Sequence, residues 1–209
     1  MELTLEIVMK VQESNVWSFG NQVLYDMCQK APLHINEDEI IGKVWLIGRS
    51  YAAAIERGAE SARNDDRFYE NRVAIKMKAA GKELDERIAW LTVQTQVTKE
   101  ILKDVVETHC FLTKVFHQIS GMDKRSLASK YLHFHVPNLF YIYDSRAIKA
   151  VTEFHSLDRS LWKILMNYDC DKTYADFISK VYPLNIKIFE EHGIWLTPRQ
   201  IDALLLGYS

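Results

Sequence analysis

Long apolar runs, glycine and proline are all scarce in this chain of 209 residues. The longest apolar-rich stretch, 44–55, is interrupted by Arg49 and Ser50. It falls short of the roughly 20 apolar residues that a membrane helix needs, so we expect no membrane partner. With only 8 glycines and 4 prolines, the chain also has few turn signals.

Cysteine is scarce as well, and the three that are present, Cys28, Cys110 and Cys170, lie far apart in the sequence. A scattered, odd number of cysteines predicts neither a disulfide framework nor a zinc site. The N-terminal residues, 1–6, are acidic and too poor in apolar side chains for a signal peptide. Reduced thiols without a signal peptide predict a cytoplasmic location.

Positive charge is not in excess, because the formal net charge is −2. A nucleic-acid partner would therefore meet a local basic patch rather than a global positive field. The composition, 48% hydrophobic and 26% charged, is ordinary for a globular protein. Apolar residues recur mostly at helical spacing and no alternation of period two persists, so we expect an all-α fold.

Several helices can be placed from this spacing. A long helix is predicted over about 92–118, where apolar side chains fall close to one face. Shorter helices are predicted at 160–165 and 174–178. Thr197, as the N-cap before Pro198, predicts the start of the last helix.

Two other segments are predicted to be irregular or exposed. The charged segment 59–89 is predicted to be an exposed helical excursion or a mobile loop. The strand-like run 139–143 is predicted to be a short extended connector.

One stretch, 119–145, carries a pattern with chemical meaning. It predicts a helix end, a tight turn at Gly121, a second helix, and an acid, Asp144, that opens a third helix. A hairpin between helices offers backbone N–H groups to a phosphate, and Lys124 and Arg125 add positive charge there. An acid at a helix start is an ordinary N-cap, a catalytic carboxylate, or both.

This stretch resembles the helix-hairpin-helix DNA glycosylases, and most closely bacterial oxoguanine-glycosylase-like proteins. The family has a glycine hairpin, an alanine-containing helix and an apolar strand-like piece that ends in an essential Asp. Here Ala128 stands for the family alanine, and Asp144 follows it at sixteen positions, which agrees with the family spacing. The segments 128–134 and 141–146 are the most similar.

The resemblance implies a two-lobed helical fold in which the chain forms a single unit. One lobe would combine 1–58 with 145–209, and the other would be 59–144. The hairpin, 119–135, and Asp144 would lie at the cleft between the lobes.

The resemblance also implies excision of a damaged or modified base from DNA or a related nucleoside-containing substrate. Asp144 would stabilise the developing positive charge on the sugar, without a metal or another cofactor. Members with lyase activity carry a lysine about 18 or 19 positions before this acid, where Ser126 and Arg125 stand here. Lys124 is the neighbouring lysine, and it is the catalytic candidate if the hairpin register shifts. The expected enzyme is therefore monofunctional and forms no Schiff base.

Two sets of binding residues follow. Phosphate binding, with a solvated hairpin as the alternative, is assigned to Gly121, Met122, Lys124, Arg125 and Lys130. For Lys130, a surface or supporting charge is favoured over a nucleophile. Substrate binding is assigned to Arg49, Ser50, Tyr51, Ser126 and Tyr143. The alternative for Arg49 is a side chain that extends from its helix to solvent.

Histidines and aromatic residues are assigned structural roles. The histidines at 109, 117, 133 and 135 lack a carboxylate at convincing spacing, so no metal is expected. The aromatic residues at 140, 141 and 143 are expected to pack rather than to stack on bases.

Three functions stay open at this point. The first is base excision. The second is an inactive glycosylase-like module that binds nucleic acid or a protein partner, similar to accessory components of bacterial anti-phage operons. The third is a purely structural helical adaptor. The net charge of −2 argues against a dedicated duplex-binding protein.

Overall fold

The structure of the protein, a computed structural model, describes residues 3–13, 16–63, 65, 67–154 and 156–207. These residues are predominantly helical and include no β-strand, which confirms the all-α prediction. The α-helices are α1 (Leu5–Lys10), α2 (Ser18–Lys30), α3 (Glu37–Ser50), α4 (Ile75–Thr92), α5 (Leu102–Ser120), α6 (Arg125–His135), α7 (Ser145–Phe154), α8 (Arg159–Leu165), α9 (Lys172–His192) and α10 (Pro198–Leu206). A 3-10 turn at Glu60–Ala62 and a π-helical segment at Tyr69–Ala74 precede α4.

Several helix boundaries follow directly from local chemistry. α5 ends at Gly121, whose φ of 72° lies in the left-handed region that glycine adopts without steric cost. The Thr197 hydroxyl accepts a hydrogen bond from the Gln200 N–H, and the Gln200 side chain accepts one from the Thr197 N–H. This capping box starts α10 where the sequence predicts it. The two short predicted helices lie within α8 and α9.

The helix predicted over 92–118 begins only at Leu102. Residues 93–101 form turns instead, although Val97 and Ile101 are buried. This run is rich in β-branched side chains, which lose rotamer freedom in a helix. The prediction was therefore wrong over this part, because the apolar spacing reflects burial of a turn segment rather than a helical stripe.

The prediction for 59–89 also needs correction, because much of the segment belongs to α4, which packs along α5. Residues 64 and 66 lie outside the described residues. The positions that α4 buries are Met77, Gly81, Leu84, Ile88 and Leu91. They recur every three or four residues, so they form the apolar stripe of an amphipathic helix. The many charges between them conceal this stripe when the segment is judged by composition.

Gly81 gives a stability prediction, because the backbone near His34 passes close to α4 at this point. A Cβ at Gly81 would lie 2.8 Å from the His34 carbonyl oxygen, whereas a Cβ at Gly42 of α3 would meet nothing within 4 Å. We expect Gly81→Ala to lower the free energy of unfolding by about 1–3 kcal/mol. The control, Gly42→Ala, should raise it by about 0.5–1 kcal/mol. Urea unfolding measures both changes, and a stabilised Gly81→Ala protein would contradict the close contact.

Buried polar side chains connect the helices. The Tyr131 hydroxyl of α6 donates to His34 Nε2 at 2.7 Å, and His34 Nδ1 donates to Asp85 Oδ1 at 2.6 Å. This chain of hydrogen bonds ties the α2–α3 connection to both α4 and α6.

Lys43 of α3 closes the C-terminal end of α2. Its buried Nζ donates to the carbonyl oxygens of Ala31 and Leu33, at 2.7 and 2.9 Å. A cation at this end also complements the helix dipole of α2. One buried side chain thereby ties the end of α2 to α3.

The packing of the helices prepares the site. α6 packs against α2, α3 and α5, while α7 packs against α9 and α10. The middle and C-terminal half of α6 contact α2 and the end of α3, through pairs such as Tyr25 with His133 and Tyr51 with Phe134. Within the described ranges, every helix is too short or too polar to cross a membrane.

Candidate active site

A cavity of about 540 Å³ lies where these helices meet. Its wall includes Ser50, Tyr51, Lys130, Asp144 and Asp202. The volume falls in the range of cavities that hold small molecules. Two carboxylates and a lysine on one wall make this cavity the strongest candidate for chemistry.

Asp144 reaches the cavity at the end of the segment 139–143, which begins in a turn and forms neither helix nor strand. Its Oδ1 accepts hydrogen bonds from the backbone N–H groups of Arg146 and Ala147, at 3.0 and 2.9 Å. Asp144 is therefore the N-cap of α7. Its other oxygen, Oδ2, lies 3.7 Å from Lys130 Nζ. The cap and the cavity thus use different oxygens of one carboxylate.

Lys130 is the buried amine of the cavity, with a side chain only 3% exposed. Its Nζ donates to Ser126 Oγ at 2.8 Å and lies 5.7 Å from the centre of the Tyr51 ring. Burial lowers the pKa of Lys130, and the Asp144 carboxylate acts in the opposite direction. The interpretation of Lys130 as a surface charge is therefore corrected. An amine enclosed beside Asp144 is poorly suited to the phosphate contact assigned to it.

The end of α3 contributes two of the predicted substrate-binding residues, Ser50 and Tyr51, to the cavity wall. The Tyr51 hydroxyl donates to Asn21 Oδ1 at 2.6 Å, which joins α3 to α2 at this wall. Arg49 behaves differently, because its side chain is exposed and forms an ion pair with Glu56. The solvent-directed alternative therefore describes Arg49.

The hairpin groups assigned to phosphate binding are bonded within the chain. The Gly121 N–H donates to a carbonyl oxygen of α5 at 2.8 Å, and the Met122 N–H donates to Ser120 Oγ at 3.2 Å. Lys124 Nζ donates to the carbonyl oxygen of Arg57 at 2.6 Å. A phosphate at this hairpin would have to displace these internal partners.

Arg125 is held by two carboxylates. Its Nε donates to Asp171 Oδ2 at 2.6 Å, and its Nη2 donates to Asp123 Oδ2 at 2.8 Å. Two neighbouring acids offset its charge, so the hairpin has less positive potential than the sequence suggests.

A second, smaller depression of about 240 Å³ lies beside the hairpin. It is lined by four of the predicted site residues, Lys124, Arg125, Ser126 and Tyr143. The structure therefore places Lys124 and Asp144 in different depressions, and it brings Lys130 to Asp144 instead.

Asp202 and Arg199 of α10 are site residues that the sequence did not indicate. Asp202 is 4% exposed, and its Oδ2 accepts from Arg199 Nη1 at 3.2 Å. The Arg199 guanidinium lies 5.4 and 5.6 Å from the ring centres of Tyr51 and Phe134. Burial raises the pKa of Asp202 to about 6, and Arg199 opposes this shift. The available signal was an acid next to Ile201, within the apolar stripe of a helix.

The buried histidines belong to the core. His133 Nδ1 donates to the Phe140 carbonyl oxygen at 3.0 Å, and its Nε2 accepts from the Tyr25 hydroxyl at 2.6 Å. His109 stacks on Tyr174 with ring centres 3.6 Å apart. In the part of the chain that the structure describes, no group of three His, Cys, Asp or Glu residues is arranged to hold a metal. Phe140 is fully buried, which confirms the packing prediction for this aromatic residue.

The chain matches no family model, and neither a curated protein nor a solved structure shows a significant match.

Proposed function

We propose that this protein is a nucleobase N-glycosylase that acts on a damaged or modified base in DNA, or in a related nucleoside-containing substrate. The observation that carries the proposal is the meeting of Asp144 Oδ2 and Lys130 Nζ, 3.7 Å apart, on the wall of one cavity. Base excision requires the base to leave its stack and enter such a pocket. A cytoplasmic location is supported by the three free cysteine thiols.

Asp144 is the group that stabilises positive charge. Cleavage of an N-glycosidic bond develops positive charge on the sugar, and a carboxylate fixed beside it lowers the barrier. The backbone N–H groups at the start of α7 hold Oδ1, so the carboxylate is oriented before the substrate binds.

The position of Lys130 supports a role for its amine as the nucleophile, which the sequence spacing alone did not predict. Ser126 stands eighteen positions before Asp144, where the resembling lyases carry their lysine. Lys130 lies one turn further along α6, and residues four apart share one helix face. Its Nζ accordingly lies within hydrogen-bond distance of Ser126 Oγ. Lys130 is thus four positions away from the family lysine in sequence, but its amine lies beside the side chain of the residue at that position, Ser126.

In the proposed reaction, the neutral Lys130 amine attacks the sugar carbon that carries the base. The new C–N bond forms as the glycosidic bond breaks, and the base leaves with the bonding electrons and takes a proton from the attacking nitrogen. The second proton on that nitrogen then passes to the ring oxygen, and the ring opens to a Schiff base. Burial of Lys130 lowers its pKa and favours the neutral amine that attack requires. This proposal replaces the monofunctional expectation.

A screen of modified-base oligonucleotides tests the proposal. We expect the wild type to release a free base from at least one of them, and Asp144→Asn to slow release by roughly 100-fold or more. Asp158→Asn is the matched control, because Asp158 caps α8 through two backbone N–H groups but borders a different groove. If Asp144→Asn retains the wild-type rate, Asp144 does not have the proposed role.

One alternative is an inactive glycosylase-like module that binds a protein or nucleic acid. Lys124 and Arg125 are bonded within the chain, so nucleic acid would bind at the hairpin only by displacing their partners. Such a module would fit an accessory role in a bacterial anti-phage system. It predicts DNA retention without base release, unchanged in Asp144→Asn and weakened in Lys124→Glu and Arg125→Glu. Salt-dependent DNA binding by the three variants distinguishes it from the enzyme.

A further inference from the structure

We infer that Asp202 selects the base that enters the cavity, by accepting a hydrogen bond from an exocyclic amino group such as that of a cytosine-type base. This inference rests on the proposed function and names the substrate class of the same cavity. It assigns to α10 a recognition role that is separate from the chemistry of Asp144 and Lys130.

The cavity wall contains an unsatisfied buried acceptor. Asp202 forms part of the cavity wall, and its Oδ1 is buried without a hydrogen-bond partner among the described residues. A buried polar atom without a partner is costly, and buried polar atoms in folded proteins are nearly always paired. A ligand that donates a hydrogen to Oδ1 would remove this cost.

The orientation of the Asp202 carboxylate is fixed by Arg199. Arg199 Nη1 occupies Oδ2, and the Arg199 guanidinium is itself packed over the rings of Tyr51 and Phe134. At a pH above its raised pKa of about 6, the Asp202 carboxylate is ionised and only accepts hydrogen bonds. Its Oδ1 therefore attracts N–H groups, and Arg199 Nη2 of the same ion pair is a second buried atom without a partner among the described residues.

Asp144 Oδ1 caps α7, and Lys130 Nζ is bonded to Ser126 Oγ and lies 3.7 Å from Asp144 Oδ2. Arg146 adds a positive charge to the same wall, near Asp202. Asp202 Oδ1 is an acceptor of this wall without a hydrogen-bond partner among the described residues. Aspartate and glutamate accept from the amino group of cytosine in known base contacts. A uracil-type base instead places a carbonyl oxygen where the amino group would be.

The test is a titration of the ¹⁵N-labelled full chain with free bases, followed by NMR. Cytosine is the probe, and N4,N4-dimethylcytosine is its matched control, because methylation removes both amino hydrogens. We expect cytosine to shift the amide signals of residues 20–21 and 50–52 and to bind at least about tenfold more tightly than the control. Asp202→Asn should reduce this preference to about twofold or less, and Asp176→Asn, on exposed α9 surface, should preserve it.

Asp202→Asn and the two ligands distinguish hydrogen-bond recognition from the size of the added methyl groups. They also distinguish it from a loss of folding. If the added methyl groups act only by size, the preference persists in Asp202→Asn and the inference is overturned. Loss of the fold is checked by the thermal melting curve. A neutral Asn is not expected to destabilise a site where burial already raises the pKa of the acid.

Failure of this inference is distinct from failure of the proposed function, because the titration requires no excision. A cytosine preference that depends on Asp202 supports the recognition role even if the oligonucleotide screen is negative. Base release with equal binding of the two probes leaves the enzyme in place and refutes the role of Asp202.

Discussion

Borohydride is expected to link the protein covalently to an oligonucleotide that carries an aldehydic abasic site, with Lys130 as the attached residue. The Lys130 amine is buried beside Asp144, and reduction of a Schiff base between this amine and the sugar would make the bond permanent. Lys130→Gln is expected to reduce the trapped fraction by roughly tenfold or more. Denaturing electrophoresis measures the fraction, and mass spectrometry of the digested adduct locates the lysine.

Two matched lysine variants make the trapping experiment specific. Lys124→Gln removes the lysine that the sequence nominates, and Lys180→Gln removes an ion-paired lysine of α9. Both should trap as well as the wild type. Attachment through Lys124 would instead require the shifted hairpin register. Base release without any trapping would restore the monofunctional enzyme that the sequence predicts.

Acidification is expected to unfold the protein at mildly acidic pH. Burial lowers the pKa of His34 to about 3 and that of His109 to about 4. It also lowers the pKa of His133 and His135 well below the ordinary value. Below about pH 6.5 the unfolded chain takes up protons that the folded chain resists, so stability falls as the pH falls toward 4.

The magnitude of this effect is large against ordinary protein stability. At pH 5, His34 and His109 each cost about 2 kcal/mol, and His133 and His135 act in the same direction. Typical domains are stable by only about 5–15 kcal/mol. Asp202 and Asp85 oppose the trend, because burial raises the pKa of both carboxyl groups, that of Asp202 to about 6, and the folded state is then the better proton acceptor at these two sites. These two acids offset less than the four histidines lose.

Circular dichroism during an acid titration measures this transition, and two variants assign its cause. His109→Phe keeps a ring against Tyr174 while removing the titrating nitrogens, so the midpoint should move to lower pH. His117→Gln alters an exposed histidine paired with Asp123 and should leave the midpoint unchanged. Identical midpoints in the two variants would show that buried histidine protonation does not drive the transition.

The helical class and many helix ends could be predicted because they depend on local signals. Thr197 and Gly121 act through bonds and φ values within a few residues of themselves. Which side chains are buried could be predicted from the sequence less well than the helix ends. The charged segment 59–89 hides the buried stripe of α4, and the turns at 93–101 bury Val97 at a spacing that suggests a helix.

The candidate site was predictable only in part, for a related reason. Asp144 and Tyr51 both lie on the cavity wall, and each was singled out from a local sequence pattern. Lys130 and Asp202 reach the same cavity from α6 and α10, which lie far apart in the sequence, so no sequence spacing records their meeting. The side chain of Lys124, by contrast, is directed by a single carbonyl oxygen on the loop after α3.

The ammonium of Lys43 has a consequence for the cavity at the opposite end of α2. That helix is about 20 Å long, and its last turn is fastened by the two carbonyl bonds from Lys43 while its first turn supplies Gly20 and Asn21 to the cavity wall. A tilt of a few degrees about the fastened end displaces the wall by an ångström or more. The Lys43 side chain does not line the cavity, yet the bonds that it donates hold the far end of a helix that does.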